Sequence, residues 1–256
     1  MNPGQAALVA GAGLLAGVIN AVAGGGSFFT LPALVRVGLP TVTANTTSTV
    51  ALWPGTLASF GAYRRELAAR RGLAAILAAV SVVGGIVGAW ILLHTPAATF
   101  DRLLPWLTLF ATALFAYGRQ AAARFRLSLG EDRRSLVTTS VLQFVIAVYG
   151  GYYGAGAGIM LLALLSVMGM TNIHAMNAFK TLLSAACNGA AVVVFVARGS
   201  VHWPEALTMM AGGLVGGYGG AWLAQRLPTR WVRGGVIFAG VLTTIYFFWR
   251  VRGRLF

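Results

Sequence analysis

Charge in this chain is confined to short connectors, and the segments between them are apolar over about the length that crosses a bilayer, near 20 residues. Ala6 to Ala23 and Gly72 to Leu93 are the clearest of these runs, and Thr43 to Tyr63, Leu103 to Tyr117 and Leu182 to Ala197 follow the same pattern. Hydrophobic residues make up 58% of the chain and charged residues 9%, with a mean hydropathy of +0.79. A soluble domain carries about 25% charged residues, and no soluble core of 256 residues buries this much apolar surface. The chain is therefore expected to be an all-α polytopic membrane protein.

The net charge of +14 does not point to nucleic acid. The arginines cluster between apolar spans, as in cytoplasmic loops of membrane proteins, so the expected partner is the lipid bilayer. Cys187 is the single cysteine, which excludes an intramolecular disulfide and a cysteine metal site, and it reads as a small packing residue. Met1 to Gln5 holds no Lys or Arg, whereas a cleaved signal peptide begins with basic residues. The first apolar segment is thus expected in the mature protein.

Glycines punctuate the spans. Gly24-Gly25-Gly26 ends the first run. Ser27 is expected to cap a short helix from Phe28 to Val37 with its hydroxyl, kinked at Pro32 and ended by Gly38 and Pro40. A basic connector, Arg64 to Arg71, precedes the Gly72 span. The longest polar stretch, Arg119 to Arg134, holds Arg119, Arg124, Arg126, Arg133 and Arg134 against Glu131 and Asp132. It divides the chain into a first membrane repeat (1–118), a basic cytoplasmic linker (119–134) and a second membrane repeat (135–256).

The two parts match at a shift of 132 positions. Gly24 and Gly26 fall on Gly156 and Gly158, Asn45 on Asn177, Ser48 on Lys180, Thr49 on Thr181 and Pro96 on Pro228. Gly84-Gly85-Ile86-Val87-Gly88-Ala89-Trp90 falls on Gly216-Gly217-Tyr218-Gly219-Gly220-Ala221-Trp222. Each repeat reads as about four apolar segments, the first two flanking a glycine break. Transporters often hold substrate between two such repeats, at broken helices. If the broken segment and the helix after it form a re-entrant hairpin, each repeat crosses an odd number of times and the repeats are inverted. That arrangement is the expected one.

Lys180 is the only lysine. It follows the glycine run Gly154-Ala155-Gly156-Ala157-Gly158 and the polar stretch Thr171 to Asn177, and it opens the apolar run to Ala197. A cation inside a span costs about 2.5–3.5 kcal/mol on insertion scales, so it generally has a task; the plain alternative is snorkelling to the nearer interface. Helix N-termini at a glycine break present N–H groups and partial positive charge, which suits anions, and irregular backbone at membrane depth is tolerated where it lines a cavity or packs in protein. The candidate anion site is therefore Gly24, Gly25, Gly26, Ser27, Asn45, Thr46, Thr47, Ser48, Thr49, Gly154, Gly156, Gly158, Asn177, Lys180 and Thr181. The hydroxyl cluster has a plainer reading as bonds between helices. His174 is a candidate proton relay, against a plainer role at a helix start. Gly84-xxx-Gly88 and Gly216-xxx-Gly220 read as faces for close helix packing. Gly154 to Gly158 lacks the strand, spacing and acid of a dinucleotide fingerprint. No Ser-His-Asp set, paired carboxylates or His-x-x-x-His spacing argues for an enzyme, and no cofactor or metal is expected.

Gly24-Gly25-Gly26-Ser27-Phe28-Phe29-Thr30-Leu31-Pro32, then Gly38, then Ala44-Asn45-Thr46-Thr47-Ser48, resembles the first-half signature of the TauE/SafE sulfite exporter family. The duplication, the length and the basic central stretch are similar over nearly the whole chain. The second half departs from the signature, with Ile159 in place of Ser27, Leu164 in place of Pro32 and Lys180 in place of Ser48. The resemblance implies a carrier of sulfite or small organosulfur anions in a bacterial inner membrane. The residues themselves predict an anion-friendly membrane pocket, which also suits an uncoupled anion channel and, less well, an intramembrane enzyme or assembly subunit.

Overall fold

The computed structural model describes residues 1–22, 25–63, 67, 70–124, 133–224 and 229–252. These form ten helices and no strand: α1 (Pro3–Val22), α2 (Ser27–Arg36), α3 (Thr41–Tyr63), α4 (Arg71–His94), α5 (Ala97–Arg124), α6 (Arg133–Tyr152), α7 (Ala157–Val167), α8 (Ile173–Ala197), α9 (Trp203–Ala224) and α10 (Thr229–Arg252). The expected four segments on each side of the central linker are five helices among the described residues. The short helices after the two glycine breaks, α2 and α7, are elements in their own right.

Five helices, over Pro3–Asn20, Arg71–His94, Arg134–Tyr152, Ile173–Ala197 and Gly234–Arg252, are long and apolar enough to cross a membrane. Their outer faces expose side chains such as Val145, Val193, Phe238 and Trp249. An apolar surface this extensive belongs in lipid rather than water. The protein is an integral membrane protein.

Backbone chemistry sets the ends of the short elements. Asn172 caps α8, its Oδ1 accepting from the N–H groups of His174 at 2.9 Å and Ala175 at 3.3 Å. At the first break the expected cap is corrected. The residue before α2 is Gly26, helical in conformation and without a side-chain cap, and Ser27 is already in the helix. The Gly26 N–H donates to Asn20 Oδ1 at 2.8 Å, and the N–H groups of Phe29 and Thr30, which a Ser27 cap would serve, donate to the Gly26 carbonyl at 3.0 and 3.2 Å. At the second break Gly154 and Gly156 have φ of 83° and 80°, a left-handed conformation that glycine adopts without steric cost.

Contacts between helices give their directions. Thr46, near the start of α3, donates to Ser200 O just past the end of α8 at 2.6 Å, and Trp53 at mid-helix donates to Ala185 O at 3.1 Å; α3 and α8 are antiparallel. Parallel pairs flank them. A Cβ on Gly212 would collide with the Ala10 carbonyl and one on Gly216 with that of Leu14, so α1 and α9 run together. Gly84 lies on Ala147 and Gly88 on the Val148 carbonyl, so α4 and α6 run together. These glycines let backbones touch, which is how helices gain packing where lipid removes the hydrophobic drive.

The two short helices fold back. Gly26 packs against Ala16 and Asn20 of α1, and Thr30 of α2 meets Ser48 of α3, oxygen to oxygen at 2.6 Å. Tyr149 of α6 donates to Ala155 O across the second break at 2.7 Å. The α1–α2 hairpin therefore starts from the end of the bundle where α3 begins, and the α6–α7 hairpin from the end where α8 begins. Their tips point toward each other.

Candidate functional site

Between the two tips lies a cavity of about 730 Å³, a size that holds a small molecule with room to spare. Its wall takes Asn20 from α1, Gly25 and Ser27 from the first break, Tyr153 to Ile159 from the second, and one face each of α3 and α8. Gly17, Gly213 and Gly217 form the α1–α9 side of the wall, where the two helices touch through Gly17.

On α8 the lining residues are Lys180, Ser184 and Asn188, with Thr181 and Cys187 beside them. The first three are spaced at i, i+4 and i+8, one polar stripe on one helix face. On α3 the corresponding wall includes Thr49, Thr56 and Ser59. Lys180 is half-buried, and a Cβ on Gly158 would meet its Cδ at 3.7 Å and Cγ at 4.0 Å. The lysine stem thus lies along the first turn of α7, directed to the second break. Among the described residues no carboxylate pairs with it. Asp101 accepts from Thr41 at 2.7 Å, and Glu205 is bonded to His202, both at the end of the bundle where α3 begins.

The residues singled out in the sequence divide into two groups. Gly25, Ser27, Thr49, Gly154, Gly156, Gly158, Lys180 and Thr181 line the cavity. Gly24 lies outside the described residues. Gly26 is buried beneath Asn20. Asn45, Thr46, Thr47 and Ser48 are buried and engaged elsewhere: Asn45 donates to Tyr152 O at 3.0 Å, Thr46 to Ser200 O, Thr47 accepts from His202 N–H at 3.0 Å, and Ser48 meets Thr30. They tie α3 to its neighbours. Asn177 is half-buried and not among the lining residues, and His174 is exposed in the first turn of α8.

Helix starts at the breaks are tighter than the anion-binding picture assumes. The N–H groups of Phe28, Phe29 and Ile159 donate to the carbonyls of Gly25, Gly26 and Gly156, three residues back, which satisfies part of each first turn. Side chains accordingly supply much of the polar lining. Asn20, Gln143, Tyr153, Ser184 and Asn188 were not read from the sequence as site residues, yet all line the cavity.

Comparison with known proteins places this arrangement. Residues 9–247 match the family described as Sulfite exporter TauE/SafE. The chain belongs to the TauE/SafE family. A probable membrane transporter protein of Haemophilus influenzae is 28% identical over 239 residues, covering 91% of this chain and 90% of its own. Probable membrane transporter protein ORF9 of Sinorhizobium sp is 30% identical over 218 residues, covering 80% and 77%. Probable membrane transporter protein YfcA of Escherichia coli K12 is 25% identical over 209 residues, covering 79% and 74%. No solved structure matches the chain.

Proposed function

We propose that this chain is a secondary carrier of sulfite or small organosulfur anions, working by alternating access around the cavity between the two glycine breaks. One observation carries the reading: Lys180, the only lysine, lines that cavity beside Gly158 and has no carboxylate partner among the described residues. An uncompensated cation in a low-dielectric cavity favours an anion as its partner. Among the described residues no Asp or Glu lines the cavity, which argues against a cation as the solute. The family's name, sulfite exporter, supports sulfite and its chemical relatives as the class.

Alternating access needs two halves that exchange roles, and the fold supports an inverted pair. Shifted by 130 to 132 positions, the starts of α1 to α5 fall on those of α6 to α10. The packing follows the same exchange, with α1 on α9 and α6 on α4. α3 and α8 would then be equivalent helices that run antiparallel. On this reading residues 1–118 and 135–256 are the repeats, and 119–134 joins them. The helix ends that border the arginine-rich connectors 64–71, 119–134 and 226–233, namely Tyr63 of α3, Arg71 of α4, Arg133 of α6 and Thr229 of α10, lie at the end where α3 finishes and α8 begins. That end is the cytoplasmic side of a bacterial inner membrane.

Reconstitution into liposomes tests the proposal. Sulfite or methanesulfonate flux should exceed that of sodium, and an imposed proton gradient should drive uphill movement if the carrier is coupled to protons. Sodium flux indifferent to oxyanions would overturn it, and oxyanion flux that only ever runs downhill would make the protein a channel.

A further inference from the structure

The α6 wall of the cavity holds a hydrogen-bond acceptor with nothing to accept. Gln143 is 1% exposed and lines the cavity. Its Nε2 donates to Ser81 Oγ at 2.8 Å, and Ser81 in turn donates to Leu77 O at 2.7 Å. Ser81 has a single proton, already committed to Leu77, so its oxygen accepts and the side-chain amide must offer an N–H. The hydrogen-bond network thus assigns the amide orientation. The carbonyl, Oε1, is turned away from Ser81, buried and without a partner. Native proteins leave few such groups, because a buried acceptor forfeits its bonds to water with no return.

Its position relates it to the lysine. Cys187 Sγ donates to Ala147 O at 3.3 Å, which sets α6 and α8 side by side. Both run with α4: Gly84 and Gly88 lie on Ala147 and Val148, while Gly85 lies on Cys187, and the first half of α4 (Ala74, Leu77) clusters with the first half of α8 (Met176, Phe179). Gln143 is one turn before Ala147. Ser184 and Lys180 lie about one and two turns before Cys187. The acceptor therefore stands level with the polar stripe of α8.

We infer that the cavity takes an anion that carries its own hydrogen-bond donor. The charged end meets Lys180; a hydroxyl, amino group or protonated oxygen of the same solute donates to Gln143 Oε1. An anion that offers only acceptors leaves Oε1 unpaired. The inference rests on the anion-carrier reading and narrows it, and Gln143 becomes the residue that sets specificity.

Two sulfonates of nearly equal size separate the possibilities: 2-hydroxyethanesulfonate, which has a donor, and propane-1-sulfonate, which has a methyl group in its place. Binding to the purified full chain, read by calorimetry, should favour the hydroxyl compound about tenfold or more, the usual consequence of stranding a buried polar group. In Gln143→Leu the ratio should fall to about one, with propane-1-sulfonate bound no more weakly than by the parent. Ser81→Ala, which removes only the partner of Nε2, should keep a preference for the hydroxyl compound. Equal binding of the two sulfonates by the parent, which needs no variant to measure, overturns the inference. An undiminished preference in Gln143→Leu overturns it as well. Both failures leave the anion reading intact provided Lys180→Met weakens the two compounds alike. Binding of neither sulfonate by the parent overturns the anion reading and this inference together.

Discussion

Trp53 Nε1 donates to the carbonyl of Ala185 at 3.1 Å, between residues 132 positions apart, the interval at which the two halves of the sequence align. If the two halves are the inverted repeats proposed above, Trp53 touches its own counterpart and would stand beside the axis relating them. The indole also packs over Gly189, whose Cβ would meet Nε1 at 3.1 Å. Trp53→Phe keeps an aromatic ring and loses both the bond and the pyrrole half of the indole. It should cost about 1 kcal/mol, read as a lowered midpoint of thermal unfolding in detergent. Gly189→Leu should cost more, because the ring has nowhere to go.

The inverted arrangement places the connector before Ala97 outside and the one before Thr229 inside. Cys187 is buried, so a Cys187→Ala background should fold. In that background Ala97→Cys and Thr229→Cys should react with an impermeant thiol reagent from opposite sides. Reaction of both from the same side would rule out inversion.

Close helix packing has its own signature. A Cβ on Gly88 would strike the Val148 carbonyl and one on Gly216 the Leu14 carbonyl, whereas Gly11 and Gly234 have nothing within 4 Å. Gly88→Ala and Gly216→Ala should each destabilise by about 1–3 kcal/mol. Gly11→Ala and Gly234→Ala should leave the unfolding midpoint near that of the parent or raise it slightly, since alanine is the better helix former. A uniform response across the four would show that these contacts do not hold the bundle together.

Asn20 accepts from Gly26 N–H through Oδ1 and lines the cavity. Asn20→Asp keeps an acceptor for that N–H and puts a negative charge in the wall. Repulsion of a like charge costs several kcal/mol where water is excluded, so anion binding should fall at least about tenfold with little change in unfolding temperature. Unchanged anion affinity would remove Asn20 from the site.

Much of this architecture is legible in the residues. The apolar runs Ala6 to Ala23, Gly72 to Leu93 and Leu182 to Ala197 fall on three of the five span-length helices, because a membrane imposes one length on its helices, whereas Thr43 to Tyr63 and Leu103 to Tyr117 fall on α3 and α5, which are not among those five. Gly24 to Gly26 and Gly154 to Gly158 marked the breaks, because backbone can leave the helix there at low cost. Lys180 drew notice because a cation in an apolar run is expensive. Rotation of helices about their axes was harder to read. Asn45, Thr46, Thr47 and Ser48 form one dense polar cluster, yet all four are spent on α2, α6 and the α8–α9 connector. A polar side chain in a membrane bundle needs a partner, and composition does not distinguish a neighbouring helix from a solute. Gln143 lies between Leu142 and Phe144 and Asn20 between Ile19 and Ala21, and only tertiary packing reveals which way these amides face. The spacing of Lys180, Ser184 and Asn188, one polar residue per turn, was available in the sequence and would have found the α8 wall.

On the proposed function, Lys180 holds the solute's negative charge in the cavity. Lys180→Met keeps most of the side-chain length beside Gly158 and removes the charge. The variant should insert and fold at least as well as the parent, because a costly cation is gone, and Lys180→Arg should retain part of the activity, since charge survives while shape changes. The decisive measurement is the initial rate of sulfite or methanesulfonate flux in liposomes at matched density of folded protein. The account predicts a rate in Lys180→Met at least about tenfold below the parent, as expected when a buried charge partner is lost. A parental rate in that variant would contradict it and return Lys180 to the role of a lysine that reaches for the headgroups.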